Sequence, residues 1–211
     1  MSKVSTVKTS RPKRVRALRT QPQERRRQLL DIAESLLEGS GSDALRMDTL
    51  ASAAGVTRPV VYSHFDNRDA LIIALLERHE RRLRTEDVST DTSDDFPTII
   101  RNATAAYLHT SVTHGQAMRA LVTGANLSPL VEETRRRIWD TGVKKWTAVY
   151  KRFFRLDAKD SRALATSHLT GLSAMASLCA GGLLSVSRAT DLHVISVVAS
   201  LSAVMKERER L

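Results

Sequence analysis

Between Thr57 and His64 the stretch "TRPVVYSH" sets the hydroxyls of Thr57 and Tyr62, the guanidinium of Arg58 and the imidazole of His64 within one short run. Arg58 can offer a bidentate contact to guanine, and Val60 an apolar contact to a thymine methyl. A phenolic hydroxyl at Tyr62 and an imidazole N–H at His64 can donate to phosphate oxygens, which fixes orientation without reading sequence. The chain is poor in aromatics, yet Tyr62, His64 and Phe65 fall within four positions. Phe65 is expected in a small core, leaving the other two rings free to donate.

These groups need a helix that starts abruptly. Thr57 is suited to an N-cap, and Pro59 then falls in the first turn, where the missing N–H has no intrahelical partner to lose. Upstream, Met47, Leu50, Ala51 and Ala54 predict a short helix stopped by Gly55, which can take the left-handed cap conformation. Two short helices joined by a glycine turn, the second opening on polar and small residues, have the geometry of a helix-turn-helix reader. Before them, Thr20 and Gln23 have capping-box spacing around Pro22, and Leu29, Ile32, Ala33, Leu36 and Leu37 predict one buried stripe ending near Gly39 and Gly41. After them, Asp66 and Asp69 mark the expected start of a fourth helix. Its inner side carries Leu71, Leu75 and Leu76, with Arg78, Arg81, Arg82 and Arg84 towards its end.

Residues 25 to 79 resemble the DNA-binding domain of the tetracycline-repressor (TetR) family of transcriptional regulators. The resemblance is carried by "LLDIAESLL", "LASAAGV" and "VYSHFDNRDAL", the last similar to the family's Gly-Val turn, Tyr-x-His-Phe, basic residue and leucine. It implies that Thr57, Tyr62, His64 and Arg68 match positions contacting DNA backbone, and that Arg58, Pro59 and Val60 match those nearest the bases. Arg46 stands where the family often has a capping Ser or Thr; it cannot cap but can reach a phosphate. Arg68 stands where lysine is usual, which keeps the charge and changes the donor geometry.

The 33 Lys and Arg against 23 Asp and Glu give a formal charge of +10, which favours anionic partners such as nucleic acid or a membrane surface. Lys3, Lys8, Arg11, Lys13, Arg14, Arg16 and Arg19 crowd residues 1 to 20 without one acid, so this arm is expected to be disordered alone. It either tracks phosphate and minor groove or is a solvated tail. The single Cys179 cannot form an intramolecular disulfide and fits a reducing compartment, and no apolar run follows the basic start as a secretory signal requires. The expected location is cytoplasmic.

Residues 85 to 97, "TEDVSTDTSDDFP", lack an apolar period and read as a connection. This divides the chain into an arm at 1–20, a helix-turn-helix domain at 21–84 and a second helical block at 85–211. In that block helices are expected over Ile99 to Val112, Gln116 to Val122, and onward from Ser128 and Pro129, where Trp139, Val143, Trp146, Tyr150 and Phe153 form a stripe. Asp157 with Asp160 opens another, and Thr190 with Asp191 the last, to about Lys206. There is no strand pattern, so the fold class is all-α. Ala163 to Ser187 has the length of a bilayer span, but its Ser, Thr, Gly and Ala, with His168 and Gly181-Gly182, point to a closely packed buried helix.

By resemblance, the second block dimerises and encloses a small-molecule pocket. Pocket candidates are Tyr107, Met118, Leu121, Trp139, Trp146 and Tyr150, although tryptophan and tyrosine at helical spacing also serve as plain core. The homodimer interface is expected on helices near 160–180, rich in small residues, and near 190–206, where Ile195, Val198, Leu201, Val204 and Met205 form a stripe. His109, His114, His168 and His193 lack metal-ligand spacing, and no cofactor is expected. No nucleophile elbow completes at "GLSAM", no glycine loop cradles phosphate, and Cys179 has no adjacent base, so no catalytic residue is assigned. The expectation is a repressor released from a palindromic DNA operator by an apolar or aromatic effector. The alternative is a helical protein that binds nucleic acid non-specifically, or associates with membrane, without responding to a ligand.

Overall fold

The computed structural model describes residues 22–41, 45–85, 95–123, 127–208 and Arg210. Among them the chain forms α1 (Pro22–Ser40), α2 (Met47–Ala53), α3 (Arg58–Tyr62), α4 (Arg68–Thr85), α5 (Phe96–Thr123), α6 (Pro129–Phe154), α7 (Ala158–Ala180) and α8 (Val186–Arg208), with no strand. The basic arm and the capping threonine Thr20 lie outside the described residues.

The first four helices close around Leu29, Ala33, Leu37, Leu50, Val61, Phe65, Leu71 and Leu75, all buried. Each such leucine contributes on the order of 2 kcal/mol by leaving water. α1 and α4 are also braced by charge: the Arg82 fork donates to both oxygens of Glu34 at 2.8 and 3.0 Å, and Arg78 pairs with Asp31 and Glu34. The start of α4 differs from expectation. Asn67 caps it, its Oδ1 accepting from the Ala70 N–H at 2.9 Å, because the helix begins at Arg68 and leaves Asp66 one position too early.

The second block corrects two boundaries. The helices expected at 99–112 and 116–122 are one, α5, since the buried Gly115 costs only about 1 kcal/mol against alanine and does not break a helix packed along both sides. α8 begins at Val186 and not at Thr190: Ser185 Oγ accepts from the Arg188 N–H at 3.2 Å, while the Thr190 hydroxyl turns back to the Val186 carbonyl at 2.8 Å. Ser128 and Asp157 cap α6 and α7 as their spacing predicts, accepting from Val131 N–H and Asp160 N–H.

The two halves are not sealed from each other. Ala117 of α5 and Val131 of α6 belong to the same buried cluster as α1 and α4, with Met118, Leu127 and Ile138 packed against it. Arg137 of α6 reaches Glu77 of α4 at 3.4 Å. Elsewhere Phe96, Tyr150, Phe153 and Phe154 pack ring on ring between α5 and α6.

α8 also corrects the stripe expected on it. Leu201 is buried and Val198, Val204 and Met205 pack against the same internal core, so only Ile195, 60 % exposed, faces outward. Beside it the outer face carries Ser196, Ala199, Ser200 and Ala203, and the outer face of α7 carries Ala163, Ser167, Thr170, Ala174 and Ser177. A larger side chain is drawn to the core, which leaves small residues outside. Among the described residues α8 is the one helix long and apolar enough to cross a membrane.

Candidate nucleic-acid interface

The reader is aimed by its turn. Gly55 adopts φ +62°, a left-handed conformation that favours glycine, and the Val56 N–H then closes onto the Ala51 carbonyl at 3.0 Å. Thr57 follows in extended backbone as the N-cap of α3, but its side chain makes no capping bond. The hydroxyl therefore stays exposed, whereas the sequence alone favoured its use as a cap. Within α3 the helical phase separates the two duties: Val61 is buried, while Thr57, Arg58 and Pro59 are exposed and Tyr62 is 47 % exposed. Val60 is half-buried on the boundary.

α3 is too short to hold itself, so α1 holds it. The Arg26 guanidinium donates to the His64 carbonyl at 3.0 Å and lies over the Phe65 ring, 4.4 Å from its centroid. Arg68 Nε donates to the Leu45 carbonyl at 2.9 Å, tying the start of α4 to the chain entering α2. His64 is half-buried, and its desolvation, with Arg26 and Arg25 nearby, lowers its pKa below the ordinary histidine value. At neutral pH it is therefore a neutral N–H donor. Arg46 is exposed at the N-cap of α2 without a capping bond, and Arg58 pairs with Asp48.

Arg46, Thr57, Arg58, Pro59, Val60, Tyr62, His64 and Arg68 thus occupy two short helices, the turn between them and the start of a third, with Val60, His64 and Arg68 partly withdrawn. Two residues were missed. Arg26 is hidden in the run Arg25-Arg26-Arg27, yet it precedes buried Leu29, Leu30 and Ala33 by three, four and seven positions, a phase that marks it as inward-facing. Asp48 carries no sequence signal, because its pairing with Arg58 crosses the turn.

A second polar constellation lies in the block formed by α5 to α8. Tyr150 Oη and His168 Nδ1 are 2.9 Å apart, the His168 and His193 rings are 5.0 Å apart, and Trp146 meets His168 edge-on at 4.4 Å. Burial, with His193 nearby, brings the His168 pKa down to about 3, and burial brings His193 down to about 4. Burial also raises the Tyr150 phenol. Both imidazoles are neutral at pH 7, and the Nε2 atoms of both have no hydrogen-bond partner among the described residues.

Of the six pocket candidates, only Trp146 and Tyr150 meet at this constellation. Tyr107 packs on a separate cluster with Leu172 and Cys179, and burial raises its pKa against the effect of bonds to Ser111 and Ser173. Met118 joins the α1–α4 core, Trp139 is 39 % exposed, and the Leu121 side chain lies outside the described residues. His168 and His193 were missed as partners of that pair. Helical phase placed both histidines inside, since Ala165, His168 and Leu172 on α7, and Ala189, His193 and Val197 on α8, recur at three- and four-residue spacing and are buried.

Residues 29–75 match the family model for bacterial regulatory proteins of the tetR family. The chain is 26 % identical over 151 residues to the HTH-type transcriptional regulator EthR of Mycobacterium tuberculosis, covering 70 % of this chain and 68 % of that one. It is 45 % identical over 56 residues to the HTH-type transcriptional activator FasR of Mycolicibacterium smegmatis, 26 % of each chain. Among solved structures, a TetR-like transcriptional regulator from Rhodococcus sp. RHA1 superposes with a TM-score of 0.70 at 21 % identity, over 85 % of this chain and 96 % of that one. Salmonella enterica GusR does so at 0.71 and 18 % identity, over 89 % and 98 %.

Proposed function

We propose that the chain, whose residues 29–75 match the tetR-family model, is a DNA-binding transcriptional regulator of that family that acts in the cytoplasm as a homodimeric repressor and leaves a palindromic operator when a small effector binds. The observation that carries the reading is α3 itself. Its first residues, Thr57, Arg58 and Pro59, are exposed, its inner side is anchored by Val61 and Phe65, and Arg26 holds its far end. A rigid helix with an exposed N-terminal turn suits base contact in the major groove, and Tyr62, His64, Arg46 and Arg68 flank it as phosphate donors. A single reader of this size buries little surface, so paired half-sites supply the affinity, and the outer small-residue faces of α7 and α8 permit close approach of a second copy.

The effector reading rests on the Tyr150–His168–His193 constellation. Its neutral imidazoles suit an uncharged guest with an aromatic or apolar body and one or two polar atoms. α5 and α6 line both this region and the core shared with α4, so a guest that shifts them also shifts α4, on which the reader rests. The shift matters only if the guest binds one spacing of the paired readers better than the other. In this proposal an arm at 1–20 adds a further phosphate contact, residues 21–84 form the reader, and residues 85–211 form the effector and dimer block.

Selection of random-sequence duplexes by the purified protein at about physiological salt tests the reading, because non-specific phosphate binding is weakened there. A palindrome with half-sites about one helical turn apart is expected. Bulk binding with nothing enriched would leave a non-specific nucleic-acid binder.

A further inference from the structure

We propose that Asp48 is a specificity-determining residue: it orients the Arg58 guanidinium so that arginine reads a guanine instead of a phosphate. The inference rests on the DNA-reading assignment of α3.

Asp48 lies in the first turn of α2 and Arg58 is the first residue of α3, so the pair between Asp48 Oδ2 and Arg58 Nη2 spans the turn that aims the reader. Both side chains are largely open to solvent, Arg58 at 65 % and Asp48 at 48 %, so the pair adds little to stability. Its effect is on direction. A free arginine on a basic face swings to the nearest phosphate, which strengthens binding to every sequence alike. An arginine held through one nitrogen keeps its remaining donors in a fixed plane, and a planar fork is what the O6 and N7 atoms of guanine accept.

Arg46, Arg58 and Arg68 make the face basic, and a carboxylate among them weakens attraction to phosphate. Its position in the first turn of α2 suits the helix dipole, but a dipole contribution requires no contact with Arg58. Pro59 restricts the backbone next to Arg58, and the Thr57 hydroxyl on its other side is not consumed by a cap. Arg58 is thus fixed at its backbone by the helix start and at its tip by Asp48.

Random-duplex selection and salt titration on full-length wild type, Asp48→Ala, Asp48→Asn, Arg58→Ala and the Asp48→Ala, Arg58→Ala double variant test this. The wild type is expected to enrich one guanine per half-site that depends on Arg58. Asp48→Ala is expected to lower that preference about five- to tenfold, within what one bidentate arginine–guanine pair supplies. Random-duplex affinity rises in the same variant, and its salt slope steepens by about one per half-site as Arg58 turns to phosphate. Asp48→Asn, which keeps an acceptor, recovers part of the preference, and in the Arg58→Ala background Asp48→Ala changes no base preference. Unchanged melting temperatures would separate these effects from folding. A palindrome enriched identically by wild type and Asp48→Ala would overturn the proposal while leaving the regulator reading intact. A wild type that enriches no motif would overturn both.

Discussion

His64 and the pair His168–His193 show the same side chain in opposite settings. His64 sits just past the end of α3, half-open to water, with its carbonyl held by Arg26. His168 and His193 lie in the core against Tyr150 and Trp146, each with a ring nitrogen that no described residue satisfies. Burial lowers all three pKa values, but only the buried pair is displaced far enough to govern stability. One region exposes polar groups on an apolar support; the other buries polar groups within it. The first suits the proposed reading of DNA, and the second is where the proposed effector would meet polar atoms.

Acid gives the sharpest separation between them. His168 and His193 are neutral in the fold and gain a proton on unfolding below about pH 6.5, so their contribution is complete above that value. It is lost as pH falls towards about 4 and about 3, their folded values. Between pH 7 and 5 each is expected to remove about 2 kcal/mol of unfolding free energy, measured by urea titration. His168→Gln and His193→Gln should each flatten that dependence and His64→Gln should leave most of it. Equal flattening by all three would erase the contrast.

Arg26→Ala tests whether the reader depends on its support. Removing a charged hydrogen bond and the contact with Phe65 is expected to cost about 2 kcal/mol in thermal unfolding. Operator affinity should fall further than that of a variant equally destabilised at α8. Tyr150→Phe strips the partner from His168 Nδ1 and should cost about 1 kcal/mol or somewhat more, with the selected DNA motif unchanged. A changed motif would show that the buried cluster sets the reader even without a guest. Tyr62→Phe is the mildest change, with stability within about 0.5 kcal/mol of wild type. Its affinity for operator and random duplex should drop by the same modest factor in anisotropy titrations, as expected of a phosphate contact.

The two regions also differed in how much the sequence disclosed. The reader was legible because its determinants are local: Gly55 fixes the turn, Pro59 the helix start, and Val61 with Phe65 the inner face, all within eleven residues. The boundary error there was of one position, at Asn67, where Asp66 and Asn67 are both competent caps. In the second block the boundaries at Ser128 and Asp157 were equally local and equally legible. The split between Val112 and Gln116 was wrong because packing offsets the low helix propensity of the intervening Gly115, and Thr190 misled because Ser185 supplies a cap five residues earlier. The Tyr150–His168–His193 meeting was beyond reach, since it depends on three helices whose relative phase no short stretch encodes. The small outer faces of α7 and α8 were visible as composition, but which side of α8 turned inward was not.

The central claim is that α3 reads sequence, and its specificity ratio tests it most directly. Wild-type affinity for the selected duplex, divided by that for a scrambled duplex of equal length, would be measured by anisotropy at about physiological salt. A ratio of about a thousand or more is expected, in the range of specific regulators. It should shrink markedly in Arg58→Ala. A ratio near one, unchanged by Arg58→Ala, would contradict the account.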